Sequence, residues 1–237
     1  NVTDAQAAWH NTRALWKSAG RPQGELEALE GLGRVARRHL PSSVALRFFE
    51  EAIALATTLG DSQRAARLRN SAGIIEWTRG RHEQARAHFE QSLSLFEAHG
   101  DRAGAGQMMN SIAVSLLALG RHGAARERLD HALAHHRHTG QEQLEAHALA
   151  ALGDACWDSG ETSEASAWYE RSLHTRQTIG DRRGEAWMLQ RLARARAAAG
   201  DRDDAEGLLT RAIELSTHCS DEELMDACDK LRRTIVG

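Results

Sequence analysis

Apolar residues recur along this chain at spacings of three and four positions, which places them on one face of an α-helix. In the last such segment, residues 221–235, an apolar stripe lies opposite Asp226, Asp229 and Arg233. That stripe consists of Leu224, Cys228, Leu231 and Ile235. Ala, Leu, Arg and Glu dominate the segments and proline is rare, and we therefore predict an all-α fold without β-sheet.

Glycine followed by a polar residue divides the chain on a grid of 40 residues. The grid positions are Gly20-Arg21, Gly60-Asp61, Gly100-Asp101, Gly140-Gln141, Gly180-Asp181 and Ser220-Asp221. A second series, half a period away, consists of Gly80, Gly120, Gly160 and Gly200. Two helices therefore fill each period. We expect each glycine to end a helix in the left-handed conformation and each grid aspartate to accept from N–H groups of the next helix.

These grids predict a single array over residues 1–237. It comprises a half-repeat at 1–20, repeats at about 21–60, 61–100, 101–140, 141–180 and 181–220, and a capping helix at 221–237. We interpret Ser220 to Glu223 as a capping box that begins the last helix. Residues 3–19 match only the second helix of a repeat, and the chain starts at Asn1. We therefore expect a fragment of a larger protein.

Small and large residues alternate at fixed positions within each period. The first-helix pairs are Leu32-Gly33, Ala72-Gly73, Ile112-Ala113, Leu152-Gly153 and Leu192-Ala193. The second-helix positions hold Ala45, Ala85, Ala125, Ala165 and Ala205, then Phe49, Phe89, Leu129, Tyr169 and Leu209. In this spacing the chain resembles the tetratricopeptide repeat over essentially its whole length. The resemblance implies a right-handed superhelical solenoid of antiparallel helix pairs that binds a protein or peptide in its concave groove.

The period of 40 residues exceeds the usual tetratricopeptide length of about 34. This longer form resembles the arrays of Pins-type cell-polarity adaptors and the sensor domains of bacterial multidomain transcriptional regulators. The Arg- and Ala-rich composition favours the bacterial regulators. The resemblance therefore implies a place within a larger regulatory protein.

Composition excludes several classes of protein. A formal net charge of −3 gives no bias toward nucleic acid, and apolar runs such as 116–119 are too short to span a membrane. Cys156, Cys219 and Cys228 lack metal-site spacing and suit a reducing compartment, so we expect a cytoplasmic protein. No nucleophile, base and orienting residue can be assembled from the sequence. We predict no catalysis and no cofactor.

If the first helices line the concave groove, as the resemblance implies, a stripe at spacings of three and four faces a ligand. Asn70 and Asn110 lie one period apart on it, and their amides can both donate to and accept from an extended peptide. Arg34, Arg37 and Arg67 favour acidic residues in the partner. Candidate anchors are Trp77, Leu117, Trp157 and Trp187. The predicted peptide-binding residues are Arg34, Arg37, Arg67, Asn70, Ile74, Trp77, Gln107, Asn110, Val114, Leu117, His147, Asp154, Trp157, Trp187, Gln190 and Arg194.

These assignments have simpler alternatives. Trp77 follows a charged residue at a core position and can turn into the core in its place. Arg34, Arg37 and Arg38 can merely pair with Glu27 and Glu30. The two asparagines can be ordinary solvated positions.

A histidine cluster lies in the second helix of the third complete repeat. His131, His135 and His138 share one face with metal-binding spacing, but no cysteine or carboxylate completes the set, so we predict no metal site. Three classes of function remain: a protein- or peptide-binding scaffold, a small-ligand sensor, and a self-association module whose oligomeric state the sequence leaves open.

Overall fold

The computed structural model describes residues 2–236, with side chains from Asp4 to Ile235. This part of the chain forms twelve α-helices and no β-strand, as predicted. The helices are α1 (Val2–Ser18), α2 (Pro22–His39), α3 (Ser42–Thr58), α4 (Ser62–Thr78), α5 (His82–Ala98), α6 (Arg102–Ala118), α7 (His122–Thr139), α8 (Glu142–Asp158), α9 (Thr162–Thr178), α10 (Arg182–Ala198), α11 (Arg202–Cys219) and α12 (Glu222–Val236). The even-numbered helices are the first helices of the repeats, and the odd-numbered helices are the second.

The grid residues form the turns that the sequence predicts. All nine grid glycines have φ between 63° and 89°, a region where a side chain is strained. Asp61 Oδ1 accepts from Arg64 N at 3.0 Å, and Asp101 Oδ1 accepts from Gly104 N at 2.9 Å. Asp181 caps α10 in the same way. At these three turns the glycine ends one helix and the aspartate caps the next.

The predicted capping box at Ser220 is wrong. Ser220 has φ 53° and ends α11, while Asp221 is the N-terminal cap of α12, with its Oδ1 accepting from Leu224 N at 3.1 Å. The physical reason is the grid itself, because Ser220 takes the place of the turn glycine and Asp221 that of the capping aspartate.

The described chain divides into two compact units, which meet in the sequence between Leu119 and Gly120. Unit 1 contains α1 to α6, and unit 2 contains α7 to α12. Within each unit, helices that follow one another in sequence pack together as antiparallel neighbours. The boundary falls inside the predicted repeat 101–140, and the single array over the whole chain stays a prediction.

Glycine and aromatic residues form matched pairs in the cores of both units. A Cβ atom on Gly73 would lie 2.5 Å from Phe89 Cε1, and one on Gly153 would lie 2.5 Å from Tyr169 Cδ1. Carbon atoms in comfortable contact are about 3.5–4.0 Å apart. The close approach of the two helices of a repeat at these glycines, which the sequence predicts, is confirmed.

Two further patterns were not foreseen from the sequence. Gly24 and Gly104 make room for Trp16 and Phe96 of the preceding second helix, since a Cβ at either position would lie within 2.6 Å of the ring. The buried hydroxyl groups of two serines link the helices of a repeat: Ser92 Oγ donates to the carbonyl of Ala66, and Ser172 Oγ donates to that of Ala146, both at 2.8 Å.

Candidate functional site

The predicted binding residues of unit 1 lie on α2, α4 and α6. Arg34, Arg37, Arg67 and Gln107 are exposed, Val114 and Leu117 are half-buried, and Asn110 is buried. We call these residues, together with Asn70, Ile74 and Trp77, the first-helix surface of unit 1.

The arginines of this surface form no close ion pair with a carboxylate among the described residues. Arg64 takes both nearby carboxylates, with its Nε 2.9 Å from Glu30 Oε1 and its Nη2 3.9 Å from Glu27 Oε1. Arg34 and Arg37 form no ion pair with any residue that the structure describes, and the same holds for Arg67. Arg34 and Arg37 therefore make no direct ion pair with Glu27 or Glu30 in the described part of the chain, and Arg34 acts on Glu30 only at longer range. The surface keeps uncompensated positive charge.

Glu30 shows how close these cations lie to one another. Burial raises the pKa of the Glu30 carboxyl, and the positive charges of Arg64, Arg34 and Arg67 act against that rise. Three cations from α2 and α4 therefore surround a single half-buried carboxylate.

The two asparagines have different environments. Asn70 Oδ1 is buried and accepts no hydrogen bond from any described residue. Asn110 is only 8% exposed and already has an interaction partner within the chain. An unsatisfied buried acceptor costs about 1–3 kcal/mol, and only Asn70 carries that cost here.

Two large apolar side chains, Ile74 and Trp77, lie on α4 together with Asn70. Trp77 is 38% exposed and Ile74 is 37% exposed, although both are large and hydrophobic. The core position before Trp77 is filled by Glu76 itself, which is buried and pairs with Arg79 at 3.3 Å. Trp77 therefore lies on the surface rather than in the core, with its ring 5.9 Å from that of His82.

The predicted residues of unit 2 lie on α8 and α10. His147 is exposed, while Trp157, Trp187, Gln190, Asp154 and Arg194 are half-buried. We call these residues, with Arg191, the first-helix surface of unit 2.

Asp154 is the polar centre of this second surface. Its Oδ1 accepts from the Tyr169 hydroxyl at 2.9 Å, and its Oδ2 lies 2.6 Å from Arg191 Nη1. Burial raises the pKa of Asp154, whereas Arg191, the Tyr169 hydroxyl and Arg194 act against that rise. Arg191 was not predicted from the sequence. It lies 37 residues after Asp154, on the next first helix, α10.

Two tryptophans of this surface already have polar neighbours. The guanidinium carbon of Arg194 lies 4.2 Å from the centre of the Trp157 ring, and Arg194 Nε is buried without a hydrogen-bond partner among the described residues. Trp187 contributes to lowering the pKa of the nearby Asp221 carboxyl, and Asp221 accepts from Arg183 Nε at 2.7 Å. Arg183 therefore ties α10 to α12, while Arg194 forms no hydrogen bond with any described residue.

One group of potential metal ligands occurs among the described side chains, and it is not the histidine cluster. Cys156, Glu161 and Glu164 bring their ligand atoms within 4.8 Å of one another. Arg126 occupies this group, since its guanidinium nitrogens lie 2.7 Å from Glu161 Oε2 and 3.2 Å from Glu164 Oε2. Burial raises the pKa of the Cys156 thiol to about 11, which keeps it protonated near neutral pH. The group is an ion-pair network.

Two sequence profiles of the tetratricopeptide repeat match this chain. One covers residues 43–98 and 104–178, and the other covers residues 189–223. The chain therefore belongs to the tetratricopeptide repeat family. No curated protein sequence matches it significantly. None of the helices in the described part of the chain has the length and apolarity that a membrane span requires.

Solved structures share this fold at low sequence identity. BtubC (BKLC) from P. vanneervenii has a TM-score of 0.77 and 18% identity, over 93% of each chain. The Rap conjugation gene regulator of plasmid pLS20, in complex with the Phr* peptide, has a TM-score of 0.78 and 15% identity, over 92% of this chain and 60% of its own. Aspartyl phosphate phosphatase F from Bacillus subtilis has a TM-score of 0.86 and 14% identity, over 94% and 59%. This chain thus spans about three fifths of the last two proteins.

Proposed function

We propose that this chain is the peptide-binding part of a larger regulatory protein, and that the first-helix surface of unit 1 binds an extended peptide with acidic residues. The observation that carries the proposal is the set of unpaired cations, Arg34, Arg37 and Arg67, on the surface that also exposes Ile74 and Trp77. A purely solvated face needs no exposed tryptophan, and exposed apolar patches beside polar groups are typical of binding sites. The peptide-bound Rap regulator, which has a similar fold, supports this assignment.

Recognition of the peptide backbone falls mainly to Asn70. Its Oδ1 lacks a partner, so a peptide N–H that reaches it adds a hydrogen bond without breaking an internal one. Asn110 must exchange an existing interaction before it can bind a ligand, and we assign it the smaller contribution.

Recognition of side chains falls to the arginines and to Trp77. Guanidinium groups bind carboxylates through charge-assisted hydrogen bonds, which are about twice as strong as neutral ones. Trp77 offers a large apolar ring, and tryptophan is enriched among the residues that dominate binding energy. We infer an acidic peptide with an apolar side chain near its acidic residues.

We propose a binding role rather than a catalytic one, and a cytoplasmic location. Cys156, Cys219 and Cys228 are all free thiols, which suits a reducing compartment.

The test is a selection of displayed peptides on the full chain, followed by affinity measurements with a selected peptide. We expect Asn70→Ala, Trp77→Ala and Arg67→Gln each to weaken binding by about 1–3 kcal/mol, which is roughly 5- to 100-fold. Matched controls replace an exposed residue of the same or a similar type outside the surface. They are Asn11→Ala, Leu15→Ala as an exposed apolar residue, and Arg128→Gln.

Three outcomes would contradict the proposal. Selection of no peptide, with saturable binding of a small metabolite, would favour a small-ligand sensor. Self-association that competes with the peptide would favour an oligomerisation surface. Equal losses of peptide affinity in the test and control variants would show that the peptide binds another part of the chain.

A further inference from the structure

The first-helix surface of unit 2 contains more positive charge than its own carboxylate neutralises. Asp154 faces both Arg191 and Arg194, so that two guanidinium groups share one carboxylate. Each oxygen of Asp154 accepts one hydrogen bond, Oδ1 from the Tyr169 hydroxyl and Oδ2 from Arg191. Arg194 donates no hydrogen bond to either oxygen. One positive charge is therefore left without a hydrogen-bonded counterion.

Arg194 is held in place although it lacks that counterion. Its guanidinium carbon lies 4.2 Å from the centre of the Trp157 ring, a stacked position in which the Nη1–Nη2 edge has no hydrogen-bond partner among the described residues. Its Nε is buried and has no hydrogen-bond partner among the described residues. A buried donor without a partner is uncommon in folded proteins. The arrangement thus presents a fixed, partly desolvated cation beside an aromatic face.

We propose that Arg194, stacked on Trp157 and next to the Asp154–Arg191 pair, binds a carboxylate of a peptide, namely an Asp or Glu side chain. This inference rests on the proposed function for the choice of a peptide as the ligand. The planar guanidinium matches the two oxygens of a carboxylate, and Trp157 packs against the apolar part of the same side chain. Asp154 and Tyr169 are positioning residues, because they hold Arg191 and set the local charge without touching the ligand.

Substitutions of Arg194 and of Asp154 should change the affinity for a carboxylate in opposite directions. Arg194→Gln removes the binding cation and should lower carboxylate affinity about tenfold or more. Asp154→Asn removes the competing negative charge and should raise carboxylate affinity by about threefold or more. A merely structural role for Asp154 predicts a loss on the same substitution. The matched control is Asp130→Asn, which replaces an exposed aspartate on α7 and should leave the carboxylate affinity unchanged.

The first experiment uses acetate as the probe on the full chain, with acetamide as the neutral comparison at constant ionic strength. The Trp157 indole N–H signal in a ¹H–¹⁵N spectrum, assigned with Trp157→Phe, reports the stacked pair. We expect a saturable shift with acetate, half complete between about 5 and 100 mM, and none with acetamide. Arg194→Gln should abolish the shift, and Arg194→Lys should retain part of it. Far-UV circular dichroism checks that each variant keeps its helices.

The second experiment uses pools of blocked hexapeptides that contain either Glu or Gln at one fixed position. The wild-type chain should prefer the Glu pools, Arg194→Gln should lose the preference, and Asp154→Asn should increase it. A further pool with a free carboxyl terminus distinguishes a terminal carboxylate from a side chain, and a preference confined to that pool would overturn the assignment to a side chain.

The two proposals fail in different ways. Acetate that shifts Trp157 while no pool binds would overturn the proposed function alone. Peptide binding without an acetate shift, or a Glu preference that survives Arg194→Gln, would overturn the carboxylate site alone.

Discussion

Gly73 and Phe89 form a size-matched pair, and replacement of Gly73 by alanine should disturb it. A Cβ at residue 73 would lie 2.5 Å from Phe89 Cε1 and 2.8 Å from Phe89 Cδ1. The ring is 3% exposed and packed in the core, so it cannot turn away into solvent. Either Phe89 or α4 must move by about 1 Å to restore ordinary contact.

The expected magnitude combines two opposing effects. Alanine in a helix interior is about 1 kcal/mol more favourable than glycine. Overpacking of a filled core costs about 1–3 kcal/mol. Gly207 on α11 separates the effects, since a Cβ there would meet nothing within 4 Å. Gly207→Ala should stabilise by about 1 kcal/mol. The unfolding free energy of Gly73→Ala, measured relative to the wild-type chain, should be about 1–3 kcal/mol lower than that of Gly207→Ala.

A double variant, in which a smaller residue 89 compensates for a larger residue 73, provides a sharper test. The fifth repeat carries Ala193 and Leu209 at the same two positions, and both are buried in the core of unit 2. Phe89→Leu alone should leave a cavity, whereas the double variant Gly73→Ala with Phe89→Leu should recover part of both losses. We expect a coupling energy of about 1 kcal/mol or more.

Urea titration followed by circular dichroism measures these differences, with the slopes compared to check that all variants unfold in the same way. Gly73→Ala that is as stable as Gly207→Ala, or a double variant whose loss equals the sum of the single losses, would refute the packing argument.

Two further predictions concern polar groups. Ser92→Ala should lower the unfolding free energy by about 0.5–1.5 kcal/mol in the same titration, because it removes the hydrogen bond to Ala66, whereas the exposed Ser94→Ala should have little effect; equal effects would argue against this hydrogen bond. The Arg183 side chain and the Leu224 N–H lower the pKa of Asp221. Its stabilising contribution is therefore present above the ordinary aspartate pKa of about 3.9 and is lost as the pH falls further. Hydrogen-exchange protection factors in α12, which correct for the intrinsic exchange rate, should fall in that acidic range. Asp221→Asn should remove this dependence on pH, and an unchanged dependence in the variant would contradict the assignment.

The fold could be predicted because local rules repeat on a fixed period. Grid glycines such as Gly60 must adopt positive φ to end a helix, and aspartates such as Asp61 must follow to cap the next one. The error at Ser220 arose from giving a capping-box motif more weight than the grid, in which that position is a turn. Division into two compact units depends on packing between helices, and the 40-residue period carries no signal for it.

The candidate site was predictable only in its helix faces. The spacing placed Trp77 on the exposed face of α4, but its exposure depends on Glu76 remaining buried with Arg79 as its partner. Likewise, the unpaired state of Arg34 follows from a competition in which Arg64 reaches Glu30. Such pairings between helices are set by side-chain reach and rotamer, which the residue pattern does not fix.

Tyr169 shows the same limit in unit 2. The sequence identified it as the large residue opposite Gly153, and its ring does fill that space. Its hydroxyl also reaches Asp154 and fixes that carboxylate beside Arg191. A position that is purely apolar in the other repeats thus acquires a polar role in this one.

Photo-crosslinking from the first-helix surface of unit 1 tests the central claim most directly. Ile74→p-benzoylphenylalanine places a photoreactive ring among the proposed peptide contacts, and Ala87→p-benzoylphenylalanine places the same ring at an exposed position on α5. With a selected acidic peptide, we predict crosslinking from residue 74 that an excess of unlabelled peptide abolishes, and only background from residue 87. Specific crosslinking from residue 87 with none from residue 74 would contradict the account.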